Sequence, residues 1–307
     1  MAQYIIRRLL QLIPITLGIM TLIFSLIHMI PGDPAVQIAG EGARPEDVLA
    51  IRKALGLDQP LWSQYVHYLG RLAHGDLGVS FRTSTPVAQE IMHRYPATME
   101  LAFGAMFVAI LVAFPLGMIS AIYRNSWIDN VARFFALIGV SMPSFWFGPL
   151  LIIAFAINHT WFPVSGRDEG LRSLVLPAVT MGLALSAILT RMIRVSVAEE
   201  LNQLYMTTAI AKGVTRVKAI FRHALKNALI PVITVLALQF GSLLTGAIIT
   251  EQIFSWPGLG RLLITSINTR DYPQVQASIL VIAVTYILVN FISDLLYAAV
   301  DPRIKLE

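Results

Sequence analysis

Ala97 to Tyr123 reads ATMELAFGAMFVAILVAFPLGMISAIY, and after Glu100 no charged side chain appears until Arg124. A run of about 20 apolar residues, at 1.5 Å per helical residue, matches the roughly 30 Å hydrocarbon thickness of a bilayer. Five similar stretches can be drawn around it, at Leu9–Ile30, Phe134–Ile157, Leu174–Ile193, Ala228–Ile249 and Val275–Ala299. The reading is an all-α integral membrane protein with six transmembrane helices. Composition agrees: of 307 residues 56% are hydrophobic and 13% charged, where a soluble domain carries about 25% charged. Prolines inside the runs (Pro14, Pro115, Pro143, Pro149, Pro177, Pro231) are tolerable where neighbouring helices re-satisfy the freed backbone groups. Ser141-Met142-Pro143 and Gly148-Pro149 should kink the third span.

Arg7 and Arg8 before the first run imitate a secretory signal. The run is too long for a signal core, and no small-x-small cleavage site precedes Pro31-Gly32-Asp33-Pro34, so an uncleaved span is expected. The net charge of +5 reads as topological anchoring, with no nucleic-acid role. With the N-terminus inside, the cytoplasmic segments hold 13 Lys and Arg and the outer ones 10, of which six lie in the long 31–96 segment. Long loops barely weigh in this rule, so both termini are placed in the cytoplasm.

The chain then divides into a first transmembrane helix (1–30), an extracytoplasmic helical cap (31–96) and a five-helix core (97–307) with a cytoplasmic loop at 199–227. In the cap, Pro45-Glu46-Asp47 opens a helix that Gly56 closes, Asp58 and Pro60 open a second with Gly75 beyond its end, and Thr85-Pro86 opens a third. The cap either packs against the spans or contacts substrate. In the loop, Leu204 to Gly213 reads as a short helix stopped at a glycine in positive φ. Val214 to Asn227 follows as an amphipathic basic helix running into the fifth span. Two helices jointed at a glycine suit the grip of another protein; a basic amphipathic helix also suits an anionic lipid surface.

No phosphate-cradling Gly-x-x-x-x-Gly-Lys-Ser/Thr occurs, and none of the five lysines follows a glycine, so nucleotide chemistry belongs to another chain. No His pair at i, i+4 occurs and cysteine is absent, so no metal site is expected. No Gly-x-Ser-x-Gly or His-Glu-x-x-His exists either, and no catalytic residue is assigned. Few ionisable residues lie deep in the spans; Asp294, about two turns from the cytoplasmic end, is the clearest and Glu251 sits near the outer end of the fifth, and one acid near each surface makes no proton relay.

Taken in order, several segments resemble one family. They are Tyr4–Leu9 with Arg7-Arg8, Pro31–Pro34, Leu55–Leu61, Gly75–Gly78, Ala209–Gly213, Arg222–Ala228, Glu251–Gly260 and Asp301-Pro302-Arg303. The whole chain resembles the inner-membrane permeases of bacterial ABC peptide importers, in the dipeptide/oligopeptide/nickel group. The wider family's loop begins Glu-Ala-Ala; here Thr207-Thr208-Ala209 stands instead, with Gly213 in place. The resemblance implies a type I ABC importer transmembrane domain in the bacterial inner membrane. Its partners would be a second homologous permease chain, two ABC ATPase subunits carrying ATP and Mg, an extracytoplasmic peptide-binding protein, and membrane lipid. It implies ATPase coupling through Tyr205, Thr208, Ala209, Ala211, Lys212, Gly213 and Val214. It suggests an outer gate or a docking ridge at Glu251, Trp256, Pro257 and Gly258, although Trp256 equally suits an interface anchor. Gln239, Ser242 and Thr245, with Gly246, form a polar small-residue stripe that either lines the pathway or packs helices. Glutathione or nickel-chelate import are the neighbouring readings. A secondary transporter, an intramembrane enzyme and a structural scaffold are the other classes. A secondary transporter calls for symmetric halves and a buried charge relay, an enzyme for a nucleophile beside a base, and a scaffold leaves the jointed loop without a purpose.

Overall fold

The computed structural model describes residues 2–29, 34–40, 42–54 and 56–300. Its regular elements are helices: α1 (Ala2–Met29), α2 (Pro34–Ala39), α3 (Pro45–Ala54), α4 (Leu61–Ala73), α5 (Val87–Ile122), α6 (Trp127–Ser141), α7 (Ser144–Leu151) continued by a π-helical turn (Ile152–Ile157), α8 (Leu171–Leu201), α9 (Leu204–Ala211), α10 (Arg216–Ala219) continued by a second π turn (Ile220–Ala224), α11 (Leu225–Ile253), α12 (Leu259–Asn268) and α13 (Tyr272–Val300). The motifs at 31–33 and 301–303, and Leu55, lie outside the described residues.

Among the described residues, four helices are long and apolar enough to cross a membrane: Val87–Ile122, Leu171–Leu201, Arg216–Ile253 and Tyr272–Leu295. The third expected span is corrected from a kinked helix to a broken one, since its two pieces meet at 99°. Counted together they make a fifth span. The Met142 amide still bonds to the Ile138 carbonyl, at 3.1 Å, and Pro143, which has no N–H to continue the ladder, breaks the helix there. Among the described residues the first helix adds the apolar stretch Leu10–Ser25, so the expected six are reached only with both. In the cap, α3 and α4 form where Pro45 and Pro60 foretell them, and Gly56 and Gly75 follow with φ of +66° and +76°. The third cap helix is a correction: the chain after Pro86 enters α5 and continues unbroken into the second span. Pro96 falls inside this helix just before the apolar run and does not end it, as a proline is tolerated where neighbouring groups satisfy the freed carbonyl.

The chain forms two compact units, one from Ala97–Pro257 with the chain after Leu288, the other from Ala2–Pro96 and Gly258–Ile287. The first is built on α5, α8 and α11. Ala97, Leu101, Ala105, Ala109 and Ala113 repeat every four residues along α5 and are all buried. Between helices already in lipid, association depends on close van der Waals fit, and small residues permit it. A Cβ added to Gly182 of α8 would stand 2.6 Å from the Ala105 carbonyl oxygen and 2.8 Å from Val108 Cβ. Gly117 meets Ile193 in the same way, and Gly139 of α6 meets the Leu183 carbonyl at 2.8 Å. The second unit packs Val87 and Ile91 against Leu259, Leu262 and Ala277. Its buried Asp271 accepts hydrogen bonds from Ser80 Oγ and, at 3.1 Å, from the Phe81 amide.

Gly182→Ala should therefore destabilise the fold by about 1–3 kcal/mol, because the methyl group meets backbone that cannot rotate away. The midpoint of denaturation in mixed micelles reads the loss. Gly18→Ala, which meets nothing within 4 Å, should leave that midpoint unchanged or slightly raised.

Candidate functional site

The loop after α8 places a short helix where it is mostly exposed. Met206 is the buried anchor of α9, while Leu204 and Ile210 are exposed. The helix ends as its glycine dictates. The Val214 amide bonds to the Ala209 carbonyl at 3.2 Å and the Gly213 amide to the Ile210 carbonyl at 2.9 Å, with Gly213 at φ +86°. This pair of bonds is the Schellman stop, and an L side chain at Gly213 would be strained whatever the room around it. Thr208 Oγ1 turns back to the Leu204 carbonyl, at 3.0 Å, while Ala211 and Lys212 face outward and Val214 is half-buried.

Tyr205 ties the loop to its neighbours. Its hydroxyl donates to Glu200 Oε2 of α8 at 2.5 Å and accepts from Asn227 Nδ2 of α11 at 3.3 Å. Burial, and then the Glu200 carboxylate it serves as donor, push the phenol up to about 12, so it remains a neutral donor. The next helices are continuous with a span: α10, its π turn and α11 run as one rod from Arg216 to Ile253. Any displacement of α9 thus reaches α8 through Glu200 and α11 through Asn227 and the chain itself.

A second polar cluster, which the sequence reading missed, joins α5, α6 and α8. Asp129 is fully buried. Its carboxylate accepts a two-pronged pair from Arg194, Nε at 2.8 Å and Nη2 at 2.7 Å. It also accepts from the Asn125 amide at 2.9 Å and from Ser120 Oγ, with Arg133 Nε at 3.5 Å. Ser126 caps α6 by accepting from the Asp129 amide. The sequence did hold a signal: Ser126-x-x-Asp129 is a helix-start pattern with an acid at its third residue. What it could not give was the arginine 65 residues away.

At the opposite end of α11, the proposed ridge turns inward. Glu251 and Trp256 have no exposed surface. Glu251 accepts from Thr98 Oγ1 at 2.7 Å and Trp256 Nε1 donates to the Ala97 carbonyl at 2.7 Å. Arg167 lies over the Trp256 ring, 5.9 Å from its centre, and pairs with Glu100. In this conformation the Trp256 indole presents no surface to a docking partner or to lipid. The corner braces the end of α11 against α5, about three turns in from the start of that helix. Pro257 is half-buried and Gly258 starts α12. The small-residue stripe does the reverse. Ser242, Thr245 and Gly246 are exposed along α11 with Leu238 and Ile249, and Gln239 is half-buried. Among the described residues this face of the helix is left largely uncovered.

Two family models match. Residues 113–306 match the binding-protein-dependent transport system inner membrane component, and residues 1–102 match the N-terminal component of the same system. The chain belongs to this family. The permease is 44% identical to the dipeptide transport system permease protein DppB of Escherichia coli (strain K12), over 99% of both chains. It is 44% identical to the DppB of Alkalihalophilus pseudofirmus, over 99% of this chain and 100% of the other. To the glutathione transport system permease protein GsiC of Escherichia coli (strain K12) it is 43% identical, over 99% of both. Among solved structures, the inward-facing MetNI methionine ABC transporter covers 71% of this permease with a TM-score of 0.59 at 18% identity, a likeness of fold. The permease is an inner-membrane protein of the ABC-importer class, and its family is one of conducting components, not of enzymes.

Arg194→Ala strands the Asp129 carboxylate in the interior and should cost about 3–5 kcal/mol. The double replacement Asp129→Ala with Arg194→Ala should recover most of that loss. A double-mutant cycle on denaturation midpoints measures the recovery; simple additivity would mean the two side chains act independently.

Proposed function

We propose that this permease forms half of the translocation pathway of an ATP-driven importer for di- or oligopeptides. The observation that carries the reading is the exposed helix α9 stopped at Gly213, in a chain related end to end to a dipeptide permease. The exposed residues of α9 through Val214 would seat in a groove of an ABC ATPase, one of two that carry ATP and Mg. A second, homologous permease would cover the stripe of Ser242, Thr245 and Gly246, which in a membrane must face protein or water. Gln239 would join it at the pathway. A peptide-binding protein would deliver cargo on the outer side, with the braced corner at Glu251–Gly258 acting as part of an outer gate. Both chain termini would lie in the cytoplasm, as the Lys and Arg bias requires.

The chemistry of the chain is mechanical. ATP binding and cargo capture each bind one state of an inward–outward equilibrium better than the other, and each shifts it only by that difference. The protein's part is to transmit the shift without slack. Tyr205 and its partners, the continuous rod into α11, and the buried pair joining α6 to α8 supply that stiffness. Glutathione, itself a tripeptide, is the second reading, favoured by the equally full-length match to GsiC. Competition of labelled dipeptide uptake by glutathione separates the two.

Gly213→Val should leave the assembled transporter in the membrane and hydrolysing ATP, while peptide uptake falls at least tenfold, since a β-branched residue resists positive φ. Parallel hydrolysis and uptake assays in proteoliposomes read the two quantities. Uptake at the wild-type rate would remove Gly213 from the coupling element. Accumulation driven by an ion gradient alone, with no ATPase present, would instead favour a secondary transporter.

A further inference from the structure

Helix α4 has two exposed flanks of opposite character. Trp62, Val66, Leu69 and Ala73, spaced by four, three and four residues, form one. Trp62 is 73% exposed and Val66 49%, Ala73 is exposed and Leu69 partly so. Ser63, His67, Gly70 and Arg71 form the other, with His67, Gly70 and Arg71 exposed. No charged side chain interrupts the apolar flank. A helix bathed in water gains nothing from such a division, and a helix sunk in hydrocarbon would not place Arg71 on its outer side. A helix lying in a membrane–water interface accommodates both.

The edge between the flanks holds α4 at a defined height on α1. Tyr65 Oη lies 2.6 Å from Thr21 Oγ1. His28 Nε2 lies 3.1 Å from Gln64 Oε1. The Phe24 ring meets Tyr65 edge-on at 5.2 Å and Tyr68 at 5.8 Å. All of these contacts fall between Thr21 and His28, in the C-terminal half of the apolar run Leu9–Ile30. Their centre, Phe24, stands about 9 Å of helix before the end of that run, the depth to which an interfacial helix buries its apolar face.

We propose that α4 lies in the membrane interface at the C-terminal end of α1, with Trp62, Val66 and Leu69 turned into lipid and His67 and Arg71 into water. The helix on which α4 packs itself exposes Leu17 and Leu22, and apolar surface left open on both packed helices selects lipid as the occupant of the apolar flank over a soluble protein. Tryptophan is the residue that favours this depth. The inference rests on α1 crossing the membrane. Its consequence is that α4 anchors the outer segment laterally, fixing the plane in which that segment meets incoming cargo.

The chain has no cysteine, so a single introduced one carries a polarity-sensitive fluorophore without background. Trp62→Cys, His67→Cys and Leu17→Cys, each in the full chain assembled in lipid nanodiscs, are quenched in turn by doxyl-labelled lipid and by aqueous iodide. Val66→Cys repeats the measurement should Trp62→Cys not assemble. Position 62 should be quenched several-fold more by shallow doxyl lipid than position 67, with iodide showing the reverse order. Iodide quenching at 62 equal to that at 67, or resistance at 62 to both quenchers because protein covers it, overturns the proposal while lipid quenching at 17 leaves α1 a span. Iodide quenching at 17 overturns the span and the proposal together.

Discussion

The fold depends on how closely α5 and α8 approach. In lipid no hydrophobic effect drives one helix onto another, so contact must come from fit. Ala105, Ala109 and Ala113 at every fourth residue of α5 and glycine at 182 of α8 bring backbone against side chain with no space for one more carbon. Around that contact α11 closes the core, with Leu243, Leu244 and Ala247 buried beside Met181 and Leu185.

Polar groups at the rod ends then fix direction. At one end the Asp129 carboxylate gathers Arg194, Ser120 and the Asn125 amide; at the other, Thr98 and the Ala97 carbonyl receive Glu251 and Trp256. Each cluster is satisfied by partners from separate elements, so neither survives a slip of one helix along another. Low local dielectric makes an unpaired member costly, which turns the clusters into register pins. The loop bearing α9 is tied in the same way by Tyr205 to Glu200 of α8 and Asn227 of α11.

Much of this was legible in the residues. Apolar length identified the spans from Ala97, Leu174, Ala228 and Val275, because helix rise and bilayer thickness leave little choice. Pro45 and Gly56, Pro60 and Gly75, and Gly213 marked helix ends through local backbone preferences that act wherever the segment sits. The ordered motifs from Arg7 to Gly260 carried the family. Local signals failed where two outcomes share a local cause. Pro86 starts a helix whether it ends in the cap or runs on as α5, and Pro143 bends a span whether by a modest kink or by 99°.

What the sequence determined by itself is therefore the solvent, four of the apolar rods and the glycine-stopped loop, since each follows from the composition or backbone preference of adjacent residues. Only the tertiary structure decided that Trp256 and Glu251 face inward, that Asp129 belongs to Arg194, and that α4 divides its exposed surface into an apolar and a polar flank beside α1. Those facts depend on which distant residue occupies the neighbouring space. A side chain's own chemistry states what partner it needs, and packing alone states which one it meets.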